Sequence, residues 1–397
     1  MKKSLLCAAV ALACSPAFAA DVQLFGFFDQ GVAFLSENLA STMGGPVGGK
    51  NTVELANANE KVAMQGRKNQ VSLGTGNVST WGIKLTEQLN DDVSVGIHLE
   101  NGYLPDSGEF YMDNVLFERE SSIAINSKTY GQIKFGRMPA MLTGSGTTGI
   151  FNSRVNPFGA GWGNMTGGWK FVGTLATARH NNMINYKSPT FNGVTFHAQT
   201  SFGDDYTHKT TGETGEEGSS KVNHYSALGV TVQGDKYFLA AGVDYLKMGS
   251  VQGAVTDDTI KAIIGGHYDF GSFKGYATVQ YMDNIEYIGG YSTKEYAPRI
   301  KDQGNTKGFD AWAVSLGADT KVWGGTAKFS VGYAQAENQN LDDNKDLVRM
   351  NVGVGYIYPL SKRTSIYGIG GYFWEDADYN EDKIYASEVI VGLMHRF

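Results

Sequence analysis

The sequence predicts an all-β protein: a 16-stranded antiparallel transmembrane β-barrel. Apolar and polar residues alternate along nearly the whole chain, which indicates strands with one apolar face. The chain has 52 Gly, 21 Tyr and 21 Phe but only 8 Pro, a composition typical of β-rich proteins with many tight turns. Short and long connections also alternate, as they do in an up-and-down barrel.

The first 19 residues have the features of a cleaved secretory signal peptide. A basic start at Lys2 and Lys3 is followed by an apolar run, and Ala17 and Ala19 provide a small-x-small cleavage site. A lipoprotein site at Cys14 is the alternative. We expect the cut after Ala19, because the residue three positions before Cys14 is not the usual Leu.

The mature chain, residues 20–397, has no cysteine and carries a net negative charge. Both cysteines, Cys7 and Cys14, precede the cut, so we expect no disulfide, catalytic thiol or thiolate metal site. Losing two of the 33 basic residues leaves 31 against 40 acidic residues, a net charge of −9. That balance argues against nucleic acid as a partner. No segment after the signal peptide has the roughly 18 consecutive apolar residues of a spanning helix.

Sixteen segments have the alternation of strands. They are Val22–Ala33, Val71–Leu85, Val93–Tyr103, Leu116–Ile125, Gly131–Arg137, Met183–Tyr186, Val194–Phe202, Tyr225–Val232, Tyr237–Tyr245, Ile260–Asp269, Phe273–Tyr281, Trp312–Lys321, Thr326–Ala334, Leu347–Tyr358, Ser365–Trp374 and Ala386–Phe397. A soluble sandwich is the alternative, with the apolar faces forming its core. So many strands in one exported chain without cysteine favour the barrel instead.

A closed barrel also explains where the aromatic residues fall. Lipid cannot hydrogen-bond an exposed sheet edge, so an even number of antiparallel strands must close on itself. The apolar faces then meet lipid and the polar faces meet water. Aromatic girdles are expected at the strand ends, from Tyr103, Phe202, Tyr245, Tyr281, Tyr358, Trp374 and Phe397.

Several segments of the mature chain resemble one family. They include VQLFGFFDQGVAF near its start, RHNNMINYKSPTFNGVTFHAQTSFG in its middle, and LSKRT and the terminal VGLMHRF near its end. These are similar to the trimeric general porins of the Gram-negative outer membrane, over essentially the whole mature chain. The resemblance implies passive diffusion of small hydrophilic solutes and ions, without a cofactor. It also implies a homotrimer in contact with outer-membrane lipid and lipopolysaccharide, and a terminal Phe397 recognised by the outer-membrane barrel assembly machinery.

The longest irregular segment, residues 138–182, lies in a part of the chain without acidic residues. No Asp or Glu occurs from Ser121 to Gly203. Loops of this length are usually functional or disordered, and this one has enough apolar residues to pack against another surface. It resembles the porin loop that follows the fifth strand, so the resemblance implies a 16-stranded barrel with a long constriction loop folded into the lumen. Basic residues on such a loop favour anions, because charge interactions strengthen in a narrow passage.

Alternation within strands predicts which charges face the lumen. By alternation Lys84, Lys134, Arg179 and Lys187 face the lumen. The basic candidates for the constriction are these four residues, Arg137, and Arg154 and Lys170 on the loop. The resemblance implies that Arg179 belongs to the basic side of the constriction. Asp29, Glu100 and Glu120 also point inward by alternation, so the wall is not purely basic. The alternative is that the basic residues lie outside the constriction and only solvate the lumen.

Two other functions remain open from the sequence. A substrate-specific channel for phosphate, carboxylates or sugars is compatible with a loop containing Trp and Arg. An outer-membrane barrel hydrolase would need a Ser-His or Asp-His constellation, and none can be assembled around His98 and Glu100. The glycines from Gly144 to Gly149 match a dinucleotide fingerprint, but no helical pattern follows them. The histidines lack metal-ligand spacing, so we expect no catalytic, cofactor or metal site.

Overall fold

A computed structural model describes residues 21–37, 68–143, 146–159, 162–163, 166–167, 179–208, 211–252, 257–285, 307–339, 346–377 and 383–397. The predicted signal peptide, residues 1–19, lies outside these ranges. Among the described residues, no helix has both the length and the apolar character needed to cross a bilayer.

The described chain is almost entirely strand. The strands are β1 (Asp21–Glu37), β2 (Lys68–Gly74), β3 (Ser79–Gln88), β4 (Val93–Tyr103), β5 (Glu120–Ser127), β6 (Gly131–Pro139), β7 (Arg179–Lys187), β8 (Val194–Ser201), β9 (Tyr206–Thr207), β10 (Thr214–Gly215), β11 (His224–Gln233), β12 (Tyr237–Lys247), β13 (Thr259–Asp269), β14 (Lys274–Ile285), β15 (Phe309–Val322), β16 (Gly325–Asn338), β17 (Asp346–Pro359), β18 (Thr364–Ala377) and β19 (Ile384–Arg396). A single helical turn, α1 (Asn152–Val155), lies between β6 and β7.

The large sheet closes into a barrel. In the described part of the chain it contains seventeen strands, each antiparallel to its neighbours, and β1 pairs with β19. The strands β2 and β3 both pair with β1, so they are two halves of one interrupted strand. Counting β2 and β3 as one, the described barrel has sixteen strand units, which we call staves, and the predicted fold class is confirmed. The strands β9 and β10 form a separate small hairpin in the connection between β8 and β11.

Each stave has an apolar outer face and a more polar inner face. On β14, Val279 and Tyr281 are more than half exposed, whereas Thr278 and Gln280 are each only 1% exposed. Large apolar residues are exposed in the same way on most of the other staves. An apolar exterior around a barrel matches the lipid-facing band of outer-membrane proteins.

Most strands differ from their predicted bounds, and three of the differences bear on the path of the chain near the lumen. The predicted strand Val71–Leu85 is interrupted at residues 75–78, because the backbone N–H groups of Gly76 and Asn77 donate to the carboxylate of Asp29. The predicted strand from Leu116 begins only at Glu120. The strand predicted from Met183 begins four residues earlier, at Arg179, because it continues through a bulge that disturbs the alternation.

Phe397 pairs with β1 at the junction between the first and last strands, which we call the seam. The backbone groups of Gly26 and Phe397 exchange two hydrogen bonds, with N···O distances of 3.0 and 3.1 Å. A Cβ atom on Gly26 would lie 2.0 Å from the nearest ring carbon of Phe397. Only glycine at this position lets the terminal ring lie across the seam.

We expect Gly26→Ala to lower barrel stability by about 1–3 kcal/mol, the usual cost of overpacking. The added methyl group must displace the Phe397 ring from the seam. Gly368→Ala is the matched control, because a Cβ atom at Gly368 meets no atom within 4 Å. Thermal unfolding, followed by the change in migration of the folded barrel on gels, measures the difference. Equal melting temperatures for the two variants would contradict the role of Gly26.

Candidate functional site

The segment after β6 lies against the inner wall of the barrel. We call the described residues between Pro139 and Gly167 the strap. At its start, the Met141 N–H donates to Gln199 Oε1 at 2.7 Å, and Gln199 Nε2 donates to the Pro139 carbonyl at 2.9 Å. An apolar cluster joins this part of the strap to the inward faces of β11, β12 and β13. Its members include Met141, Leu142, Ile150, Phe151, Val155, Tyr225, Phe238 and Ile263.

The strap then follows the wall across successive staves. The contacts are the Thr278 hydroxyl with the Val155 carbonyl at 3.2 Å, Asn156 Nδ2 with the Ser330 hydroxyl at 2.9 Å, and the Trp162 ring with the Tyr367 ring at 5.2 Å between centres. Lys328 also donates to the Pro157 carbonyl. Inward side chains of β14, β16 and β18 therefore bind the strap directly.

Inward glycines allow the strap to approach the wall closely. These glycines are Gly229, Gly242, Gly317, Gly353 and Gly355. A Cβ atom on Gly317 would lie 2.5 Å from Pro157 Cδ, and one on Gly353 would lie 2.4 Å from the Thr166 carbonyl oxygen. Any larger residue at these two positions would force the strap away from the wall.

Asp29 anchors the far end of the strap. Its side chain is fully buried and accepts hydrogen bonds from the Asn77 N–H at 2.9 Å, the Gly76 N–H at 3.3 Å and the Tyr367 hydroxyl. The Gly163 N–H of the strap donates to the Gly76 carbonyl at 2.7 Å. The interruption between β2 and β3 is thus the place where the strap meets the first staves.

Lys134 and Glu120 form an ion pair beside the beginning of the strap. Lys134 Nζ lies 3.0 Å from Glu120 Oε1, and the Thr147 hydroxyl of the strap bonds both side chains, at 2.8 Å to Lys134 Nζ and 2.7 Å to Glu120 Oε2. Both charged residues are buried. Each charge is therefore offset by the other, and the pair holds the strap.

A group of arginines and glutamates lies where β4, β5, β6 and β7 meet the long connections. Arg119 Nε contacts Glu100 Oε1 at 3.1 Å, and Arg179 Nε donates to the Arg119 carbonyl at 2.8 Å. Arg137 Nε donates to the Glu118 carbonyl at 2.6 Å. Burial raises the pKa of the Glu118 carboxyl, while Arg119 and Arg179 act in the opposite direction.

Sequence reasoning missed Glu118 and Arg119. It predicted from strand alternation that Arg179 faces the lumen, and a bulge in β7 changes that facing. The pairing of β6 with β7 joins Gly136 to Met183 but Met138 to His180, so β7 carries one extra residue. His180 takes the inward position instead of Arg179. Arg179 reaches the arginine–glutamate group from a bulged strand end. The alternating charges Glu-Arg-Glu before β5 were the available signal for this group.

Three of the basic candidates are exposed side chains. Lys84 Nζ lies 4.4 Å from the centre of the Phe25 ring, and both residues project inward. Arg154, on α1, and Lys187, at the end of β7, are also exposed. Lys170, the other basic candidate of the loop, lies outside the described residues.

The described residues of the strap leave one part of the inner wall uncovered. Their contacts extend from β5 through β8 and β11–β19 to Phe27 of β1 and to Gly76, and none of these contacts involves the inward side chains of β3 or β4. Those strands present Lys84, His98 and Glu100, with His98 Nε2 at 3.4 Å from Glu100 Oε2. In the described part of the chain, no group of three potential ligands could hold a metal ion.

A closed barrel with an apolar exterior, a polar interior and an internal strap defines a membrane channel of the outer-membrane type. The chain belongs to the Gram-negative porin family, whose sequence profile matches residues 6–378. It is an outer-membrane porin for the passive passage of small hydrophilic solutes. This membership excludes the barrel hydrolase considered from the sequence.

Individual relatives are consistent with this assignment. An outer membrane porin protein of Bordetella pertussis is 27% identical over 421 residues, covering 100% of both chains. An anion-selective porin from Comamonas acidovorans has a similar structure, with a TM-score of 0.64, 20% identity, and coverage of 96% of this chain and 100% of that one. The trimer form of OmpT from Vibrio cholerae has a TM-score of 0.55 at 14% identity, with coverage of 96% and 100%. At these identities, the structural likeness shows the fold alone.

The contact between Gly353 and Thr166 gives a test of the position of the strap. We expect Gly353→Ala to reduce single-channel conductance, because the new methyl group pushes the strap carbonyl away from the wall and toward the lumen. Gly370→Ala is the control, since its nearest contact would be an ordinary 3.6 Å. Planar-bilayer recording of both variants measures the effect. An unchanged or larger conductance for Gly353→Ala would contradict the docked position of the strap.

Proposed function

We propose that this porin is a general diffusion channel that prefers anions. Solutes pass between the strap and the uncovered wall formed by β3 and β4, and the strap is the constriction loop predicted over residues 138–182. Lys84 lines the wall, Arg154 lines the strap, and Arg137 and Arg179 contribute positive charge near the long connections.

The difference in burial between acidic and basic candidates carries this proposal. Asp29 and Glu120 are both 0% exposed and are engaged in hydrogen bonds. Glu100 is bound by Arg119 at 3.1 Å. In contrast, Lys84, Arg154 and Lys187 are exposed. The charge available to a passing ion is therefore mainly positive, and positive charge in a narrow passage attracts anions and repels cations.

We further propose the assembly and export predicted from the sequence. The signal peptide, residues 1–19, is cleaved, and the mature chain forms a homotrimer in contact with outer-membrane lipid and lipopolysaccharide. The trimer form of the Vibrio cholerae protein supports this oligomeric state. Phe397 is the terminal residue recognised by the barrel assembly machinery, and its exposed ring at the seam is available for that contact.

The sign of the reversal potential across a potassium chloride gradient tests the anion preference. We expect the wild-type porin to favour chloride. Arg154→Glu and Lys84→Glu each change the local charge by two units and should each lower the ratio of chloride to potassium permeability by at least about fivefold, because one unit charge near an ion is worth roughly 1 kcal/mol in water.

Lys236→Glu is the control, because Lys236 lies in the short turn between β11 and β12. Its permeability ratio should remain that of the wild type. Cation preference in the wild-type porin would overturn the proposed selectivity while leaving the family assignment intact. An equal change in all three variants would show that net charge, and not position, sets the ratio.

A further inference from the structure

Two contacts hold Arg154 on the inner wall, one made by its side chain and one by its backbone carbonyl. Its guanidinium carbon lies 4.8 Å from the centre of the Phe238 ring, a cation–π contact. Its carbonyl accepts a hydrogen bond from His267 Nδ1 at 2.7 Å, and the His267 ring in turn stacks on Phe238 at 5.9 Å. The side chain is therefore oriented by the wall while remaining exposed to the lumen.

Lys187 and His197 lie on β7 and β8, and β11 separates these staves from β12, whose Phe238 contacts Arg154. Lys187 and His197 are directly paired across β7 and β8, so their side chains share one face of the sheet. His197 Nε2 is 3.2 Å from the Thr231 hydroxyl on β11. Thr231 lies two residues from Gln233, which pairs with Phe238, so neighbouring inward residues lead from His197 and Thr231 to Arg154. The positive charges of Lys187 and Arg154 both act on the His197 ring.

This group has an excess of hydrogen-bond donors. The two charged groups that act on His197 are both basic, and no described carboxylate joins them. Among the described residues, neither Arg154 nor Lys187 forms an ion pair with an acidic side chain. The sequence around them contributes no acid either, because Asp and Glu are absent from Ser121 to Gly203. Unlike Lys134, these two cations remain uncompensated.

We propose that Arg154, Lys187 and His197 form a binding subsite for oxyanions with two negative charges, such as hydrogen phosphate. Two cations can bind two charges at once, whereas chloride presents only one. A neutral His197 and Thr231 have two polar protons between them, and one is used in their own hydrogen bond. The pair therefore offers one donor to an anion, beside those of the Arg154 guanidinium and the Lys187 ammonium, and guanidinium suits bidentate binding of an oxyanion. The subsite rests on the proposed anion preference, to which it adds a substrate class.

The experiment is anion block of the chloride current through single trimers in a planar bilayer. Potassium phosphate, potassium malonate and potassium acetate are added at matched ionic strength, at a pH where phosphate and malonate are mainly divalent. We expect phosphate to reduce the chloride current in a saturable way, and acetate to leave it nearly unchanged. Malonate distinguishes a general site for divalent oxyanions from one restricted to tetrahedral anions.

Variants locate the block. Arg154→Gln and Lys187→Gln should each raise the half-blocking phosphate concentration by about tenfold, the effect of losing one charge-assisted hydrogen bond. Arg154→Lys, which keeps the charge but loses the planar donor fork, should give a smaller increase. Lys236→Gln is the control and should retain the wild-type value.

The outcomes separate the subsite from the anion preference. Saturable phosphate block that is unaffected by Arg154→Gln and Lys187→Gln would overturn the subsite, as would block by acetate equal to that by phosphate. A chloride-favouring reversal potential without phosphate block would remove the subsite and leave the proposed selectivity. If phosphate block depends on Arg154 but the channel favours potassium, the subsite stands and the proposed anion selectivity is overturned.

Discussion

The absence of hydrogen-bonding partners in lipid is the constraint on which this structure depends. Every backbone N–H and C=O group inside the bilayer must be bonded within the protein, so the sheet has to close. Pairing of β1 with β19 achieves closure, and the backbone bonds between Gly26 and Phe397 extend it to the last residue. The alternation of apolar and polar residues follows from closure, because one face of every stave meets lipid and the other meets the lumen.

The same requirement applies inside the barrel, where the strap has no regular secondary structure apart from α1. Its carbonyl groups are bonded by inward side chains, as in the contacts of His267 with Arg154 and of Thr278 with Val155. Polar residues on the inner wall thus partner the backbone of the strap as well as water. Those residues and the glycines between them set the path of the strap along the wall.

Sequence alternation predicted the staves well where it was regular. The bounds of β4, Val93–Tyr103, are those expected from the sequence, because its apolar face is continuous and short turn signals precede it. The bulge in β7 could not be predicted, since the polar residues from Arg179 to Asn182 carry no periodic signal. That bulge altered the expected facing of Arg179. Alternation beyond an irregularity therefore identifies a strand but not the direction of its side chains.

The candidate charges show a second limit of prediction from sequence. Lys84 could be placed on the inner wall from its neighbours alone. The burial of Asp29 could not be predicted, because it depends on Tyr367 at the other end of the chain. The burial of the pair formed by Lys134 and Glu120 could not either, because it depends on Thr147 of the irregular strap. A lumen-facing position in the sequence pattern does not reveal whether a charged side chain is available to solutes or is already paired with groups that hold the loop.

The anchor at Asp29 also constrains the order of assembly. Asp29 belongs to the first stave and Tyr367 to the penultimate one, and they meet only when the two ends of the sheet have joined. The docking platform for Gly163 therefore does not exist in an unfinished barrel. We therefore expect the Gly163 end of the strap to dock only after the first stave has met the last two.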